Sequence, residues 1–298
     1  MLDPEQLLER TEPAYSEFRD RHRDELVLLH FFEGFVDAGQ VGHTLSKQLL
    51  AHCEHEVIAT LDVDQLHDYR SRRPVMTFDT DHWDALRPPE LLLHRVVDGA
   101  GTEFVVITGP EPDMQWERAS AAVKILAGEL GVSTAATAYG IPIGVPHTRP
   151  TTITGHSSEG DLSQDNALWL GRIEVPGSIG SMLEMRLGEV GVRSLGLATH
   201  VPHYLSAAPF GQAVLAATRR LSEVTGLELP LDGLAEAAQK NLVEINTEME
   251  SSAEVRQVVA GLEEQYDSGL GTQQVPSAQE IGAEFERFLA ERDKGEDR

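Results

Sequence analysis

The chain of 298 residues carries 49 acidic against 24 basic side chains, a formal net charge of −25, with 41% hydrophobic and 24% charged residues. That balance supports a sizeable buried core and excludes wholesale disorder. A surface this negative also repels phosphate backbones and anionic lipid, so nucleic acid and membrane are excluded as main partners. Cys53 is the only cysteine, which rules out an intrachain disulfide and any multi-cysteine metal site. The acidic start MLDPEQLLERTEP lacks the apolar region of a secretory signal, and no apolar run approaches the ~20 residues of a membrane span. The expected setting is soluble, reduced and cytoplasmic.

Residues 4–23 read as a polar helix with a break at Pro13. Leu26–Phe32 (LVLLHFF) reads as a strand buried on both faces, since it is apolar without interruption and is followed by turn residues. Helical spacing returns over 40–53. Further strands are expected at 56–63, 75–80, 91–97, 104–108, 134–139, 151–154 and 194–199. The 91–104 segment forms a hairpin through Asp98-Gly99, which makes the sheet mixed. Helices are expected over 112–130, 179–190 and 208–225. This alternation gives a layered α/β domain with helices on both faces.

From Gly226 the pattern becomes two consecutive amphipathic helices, carried by Leu231, Leu234, Ala238, Leu242, Ile245 and Met249, then by Val255, Val258, Val259 and Leu262. Residues 267–277 have linker composition, and Ile281, Phe285, Phe288 and Leu289 place one apolar stripe on a short terminal helix. The expected organisation is an N-terminal helix over 1–23, an α/β/α core over 24–225, a helical extension over 226–268, and a linker with a short helix over 269–298.

No phosphate-binding GxxxxGK[ST], no GxGxxG after a strand and no G-x-S-x-G elbow occurs. The pairs His52/His55 and His200/His203 lack the further ligand that a zinc hydrolase needs nearby. No metal and no cofactor is therefore expected, and no catalytic residue is assigned. Polar clusters do sit where strands turn into helices, the usual place for ligands in α/β sheets. Asp37 is placed to cap a helix, with Gln40 three residues on. Glu111 lies in a second turn before Pro112, and Trp116 follows one turn into that helix. Arg70, Arg72 and Arg73 crowd one loop and are read as a carboxylate bridge, with Asp37 or Glu111 as partner, or as an anion site. His147, Thr148 and Arg149 are held extended between two prolines, and His203 and Tyr204 follow the last strand.

These same segments resemble the proteasome assembly chaperone 2-like family in its actinobacterial form. The matching pieces are EGFVDAG at 33–39, DYRSRRP at 68–74, GPEPDMQW at 109–116, GIPIGVPHTRP at 140–150, TGHSS at 154–158 and VPHYLSAAP at 201–209. Phe35 stands where the family usually has tryptophan. The resemblance implies a three-layer α/β/α fold with a mixed central sheet, similar to phosphorylase/hydrolase-like enzymes, plus a helical extension. It also implies a non-enzymatic homo-oligomer, a trimer being one arrangement, acting with proteasome subunits or related factors. The final residues 293–298 lack the hydrophobic-tyrosine tail through which archaeal relatives dock, so docking by that route is not expected. The alternative reading is a small-molecule hydrolase, transferase or ligand sensor with a cleft at Asp37, Arg70, Arg73, Glu111, His147 and Arg149.

Overall fold

The structure is a computed structural model and describes residues 2–22, 25–34, 36–160, 162, 172–250 and 253–268. In chain order its elements are β1 (Leu8–Arg10), α1 (Ala14–Arg21), β2 (Leu26–Glu33), α2 (Val41–His52), β3 (Glu54–Leu61), β4 (Val75–Asp79), β5 (His82–Arg87), β6 (Leu91–Val97), β7 (Glu103–Pro110), α3 (Trp116–Leu130), β8 (Val132–Ile143), β9 (Ile153–Ser157), α4 (Ile179–Gly188), β10 (Arg193–Pro202), α5 (Gly211–Thr225), α6 (Leu234–Glu250) and α7 (Ala253–Asp267). Eight strands form one mixed sheet in the order β1-β3-β6-β7-β2-β8-β10-β9. The central strands β7, β2, β8 and β10 run parallel, while β6, β3, β1 and β9 pair antiparallel toward the two edges.

Successive strand residues point to opposite faces, and the uninterrupted apolar strands therefore feed two cores at once. Leu29, Val106, Ala136 and Leu197 pack with α2, α5 and α6 on one face. Leu28, Val105 and Ala135 pack with α1, α3 and α4 on the other. The result is a three-layer α/β/α sandwich. The amphipathic stripe of α6 supplies Leu234, Ala238 and Ile245 to the first core, and Asn241 Oδ1 accepts the Gly211 N–H at the start of α5 (2.9 Å). The extension is thus seated on the sandwich.

Two segments differ from expectation. In place of one helix over 4–23, the chain forms a 3-10 turn at Pro4–Leu7, the edge strand β1 and then α1. Leu7, Tyr15 and Phe18 are buried, and Leu8 pairs with Leu61 of β3, so sheet pairing outweighs the local helical spacing. The strand expected at 75–80 is not in the main sheet: β4 pairs only with β5 as a separate two-stranded sheet. Phe35 and residues 269–298, with the expected linker and terminal helix, lie outside the described residues.

Candidate functional site

A cavity of about 440 Å³ lies between the sheet and α4, toward the C-terminal ends of β2 and β8, within the size range typical of ligand sites. Strand register explains its floor. Thr137, Gly196 and His156 align across β8, β10 and β9, and Tyr139, Ala198 and Thr154 align two residues further on. Residues two apart share a face, so the middle strand presents only Gly196 and Ala198 there, leaving room that larger side chains would fill. Phe32, Val36, Ile141, Ile143, Val175 and Met185 make most of the wall apolar.

Into this apolar space projects a hydrogen-bonded relay. The Tyr139 hydroxyl lies 3.0 Å from His156 Nε2, and His156 Nδ1 lies 3.0 and 2.9 Å from the two oxygens of Glu184 on α4. Because a carboxylate accepts, Nδ1 carries the proton, and in the neutral imidazole Nε2 then accepts from the Tyr139 hydroxyl. Burial, with the Glu184 charge adding to it, pushes the Tyr139 phenol well above its ordinary range. The imidazole lies directly over Gly196: a Cβ there would stand 2.0 Å from His156 Cε1. Nearby His30 is held neutral, its pKa lowered to about 4 by burial. At the start of α4, Glu111 Oε1 accepts the Ile179 N–H (2.6 Å) and the Ser178 hydroxyl accepts the Ser181 N–H (3.1 Å). Two of the amides that would attract an anion are thereby engaged.

Of the residues singled out from sequence, only Glu111 lines this cavity. Asp37 accepts from the backbone N–H groups of Gly42, His43 and Gly140. It caps α2 and ties that turn to β8, where Gly140 is required because a Cβ would fall 1.8 Å from the Ala38 carbonyl oxygen. Burial raises the Asp37 carboxyl, and the three amides oppose that rise. The carboxylate bridge in the arginine loop is made by Arg72, to Asp113 (2.5 Å) and to the Glu111 carbonyl. Arg70 and Arg73 are exposed. Trp116 donates its indole N–H to the Pro112 carbonyl (2.6 Å) and packs against the second core.

The His-Thr-Arg triplet holds the helical extension. His147 Nδ1 meets the Tyr204 hydroxyl (2.7 Å) and His147 Nε2 meets Asn246 of α6 (3.0 Å). Thr148 donates to Glu263 of α7, and Arg149 forks onto Asp267 (2.8 and 2.6 Å) and reaches Glu263 (3.1 Å). The ring of His203 packs edge-on against Tyr204. Among the described residues, no group of three or more His, Cys, Asp or Glu could hold a metal ion. No described helix is long and apolar enough to cross a membrane.

A second surface lies on β4 and β5, where every residue is exposed. Met76 pairs with Leu86 and Phe78 with Trp83, across a bulge that omits Asp84 from the pairing. The bulge brings the odd-numbered Trp83 and the even-numbered Leu86 onto one face. Met76, Phe78, Trp83 and Leu86 therefore form a single apolar stripe, with Phe78 56% and Trp83 63% exposed and their rings in edge contact at 5.1 Å.

The mixed eight-stranded sheet, the helices on both faces and the seated helical extension define an α/β/α sandwich protein. The sequence profile of the PAC2 family matches residues 31–249, and the chain belongs to that family. It is similar over its length to a Mycobacterium tuberculosis protein of unknown function, at 41% identity and a TM-score of 0.82, covering 95% of this chain and 96% of that one. A proteasome-assembly chaperone homologue from the same organism matches at 26% identity and a TM-score of 0.72, covering 78% of this chain and 100% of that one. An archaeal proteasome activator from Pyrococcus furiosus shares the fold, at 13% identity and a TM-score of 0.56, over 76% of this chain and 94% of that one. The comparison with curated proteins gave no match.

Proposed function

We propose that the protein is a non-enzymatic, homo-oligomeric interaction protein of the proteasome-assembly type, and that the β4–β5 arm is its self-association element. The observation that carries this reading is the exposed stripe of Met76, Phe78, Trp83 and Leu86; exposed apolar faces of this kind mark protein contacts. Charge favours a second copy as the occupant. The arm carries Asp79, Asp81 and Asp84 against Arg87, while the loop leading into it exposes Arg70 and Arg73. Copies packed arm to arm bring acidic tip to basic base, a self-complementary arrangement. Membership of the PAC2 family and the likeness to an assembly chaperone homologue support proteasome subunits as the further partner. The unpaired Cys53 fits a reducing, cytoplasmic setting.

Light scattering on the full chain during size-exclusion chromatography tests the proposal. The expected result is a discrete species of two or more 32.7 kDa chains, reduced to a monomer by Phe78→Ser with Trp83→Ser. A monomeric wild-type chain at tens of micromolar (roughly the reach of weak specific contacts) overturns it. Pull-down against proteasome subunits then tests the further partner, and enrichment no greater than for an unrelated acidic protein removes it.

A further inference from the structure

We infer that the cavity between the sheet and α4 is a binding site for an aliphatic small molecule with a hydrogen-bond-donating head, a primary amine above all. This goes beyond self-association and rests on different residues. The body of the ligand is set by the walls, which are aliphatic or aromatic at Phe32, Ile141, Ile143, Val175 and Met185. The head is set by what the cavity can and cannot offer. Among the described residues, no lysine or arginine lines it. Two of the first amides of α4, those of Ile179 and Ser181, are engaged by Glu111 and Ser178, which leaves Gly180 to offer the one helix amide at the wall, so a carboxylate or phosphate head would find little there to offset the Glu184 charge.

Acceptors are present instead. Glu184 brings a carboxylate into the cavity and is held by the imidazole of His156. Each oxygen of that carboxylate can accept more than one hydrogen bond. The Tyr139 hydroxyl donates a hydrogen bond to His156 and keeps its oxygen as an acceptor. Glu111, also at the wall, is committed to the Ile179 N–H. A carboxylate in a largely apolar enclosure favours a cation more strongly than the same group would in open water. An ammonium head gains charge-assisted hydrogen bonds there, a neutral alcohol gains ordinary ones, and an anion is repelled.

Three probes with the same tail separate these heads: octylammonium, 1-octanol and octanoate, each titrated calorimetrically into the full chain. The expected order is octylammonium tightest, 1-octanol intermediate and octanoate weakest, with at least about a tenfold gap between first and last, the size of one charge-assisted contact. Glu184→Gln, checked for retained fold by circular dichroism, is expected to bring octylammonium down to the level of 1-octanol. Ile141→Trp, which fills the cavity from its partly open wall, is expected to abolish binding of all three. Octanoate binding as tightly as octylammonium, undiminished octylammonium binding in folded Ile141→Trp, or no binding by any probe overturns the assignment.

Discussion

Gly196 and His156 face each other across the β9–β10 pairing, with the imidazole occupying the space where a Cβ of residue 196 would stand, 2.0 Å from Cε1. The glycine therefore seats the ring that joins Tyr139 to Glu184. Gly196→Ala forces the ring away and separates it from the Tyr139 hydroxyl. The expected cost is about 1–3 kcal/mol of stability, the usual range for overpacking a filled site, measured by urea denaturation. Octylammonium affinity falls with it. An alanine variant of unchanged stability and affinity would show that the ring is seated elsewhere.

Three buried histidines make the fold sensitive to acid. Burial lowers His30, His94 and His200 from an ordinary value of 6.5 to about 4, with His55 adding to the effect at His94. Between those values the unfolded chain binds protons that the folded chain does not, so stability falls as pH falls through that window. Above about 6.5 none of the three contributes a penalty, and below about 4 the penalty stops growing. The slope reaches on the order of 1.4 kcal/mol per pH unit for each histidine. Urea midpoints at pH 7.5, 6.0 and 5.0 read the fall directly. His30→Gln is expected to flatten the curve by about one proton, as removal of a single linked site requires.

The clasp between Arg149 and α7 predicts a local effect. Arg149→Ala removes the fork on Asp267 and the contact with Glu263, both on the last helix of the described chain. Exposed ion pairs of this kind contribute little to global stability, so the thermal midpoint stays within a degree or two. Amide exchange in residues 256–267 accelerates several-fold, because these contacts help hold that helix to the sandwich. Exchange unchanged in α7 would show that packing alone retains it.

Charge reversal tests the arrangement of the arms. Arg70→Glu with Arg73→Glu is expected to weaken self-association at low salt, and adding Asp81→Arg with Asp84→Arg restores it, as complementary charges across an interface require. Analytical ultracentrifugation at two salt concentrations reads both effects. Rescue that fails while each protein remains folded argues against tip-to-base pairing.

The alternation of strands and helices was legible because LVLLHFF and the flanking amphipathic helices need layers on both sides of a sheet. The separate β4–β5 sheet was not, since the apolar content of Val75–Phe78 reads the same whether a strand is buried or extends into solvent. Asp37 could be recognised as a capping group from its place before a helix. The role of His147, Thr148 and Arg149 depends on Asn246, Glu263 and Asp267, about a hundred residues away, and no local pattern reveals such pairing. The cavity carried a quieter signal. In Ser194–Ala198 the leucines at 195 and 197 alternate with the small residues at 196 and 198, so one face of a central strand packs while the other leaves space. TGHSS at 154–158 belonged to the resemblance, yet its histidine gained a chemical setting only once Tyr139 and Glu184 were brought beside it.

The position of α6 also bears on how the chain is made. Leu234, Ala238 and Ile245 close the face formed by α2 and α5, and they follow every strand of the main sheet in the chain. A nascent chain that has completed every strand of the main sheet still presents an open apolar face until residues 234–250 have emerged and docked. Folding of that half of the sandwich is therefore completed only when residues 234–250 have packed onto α2 and α5.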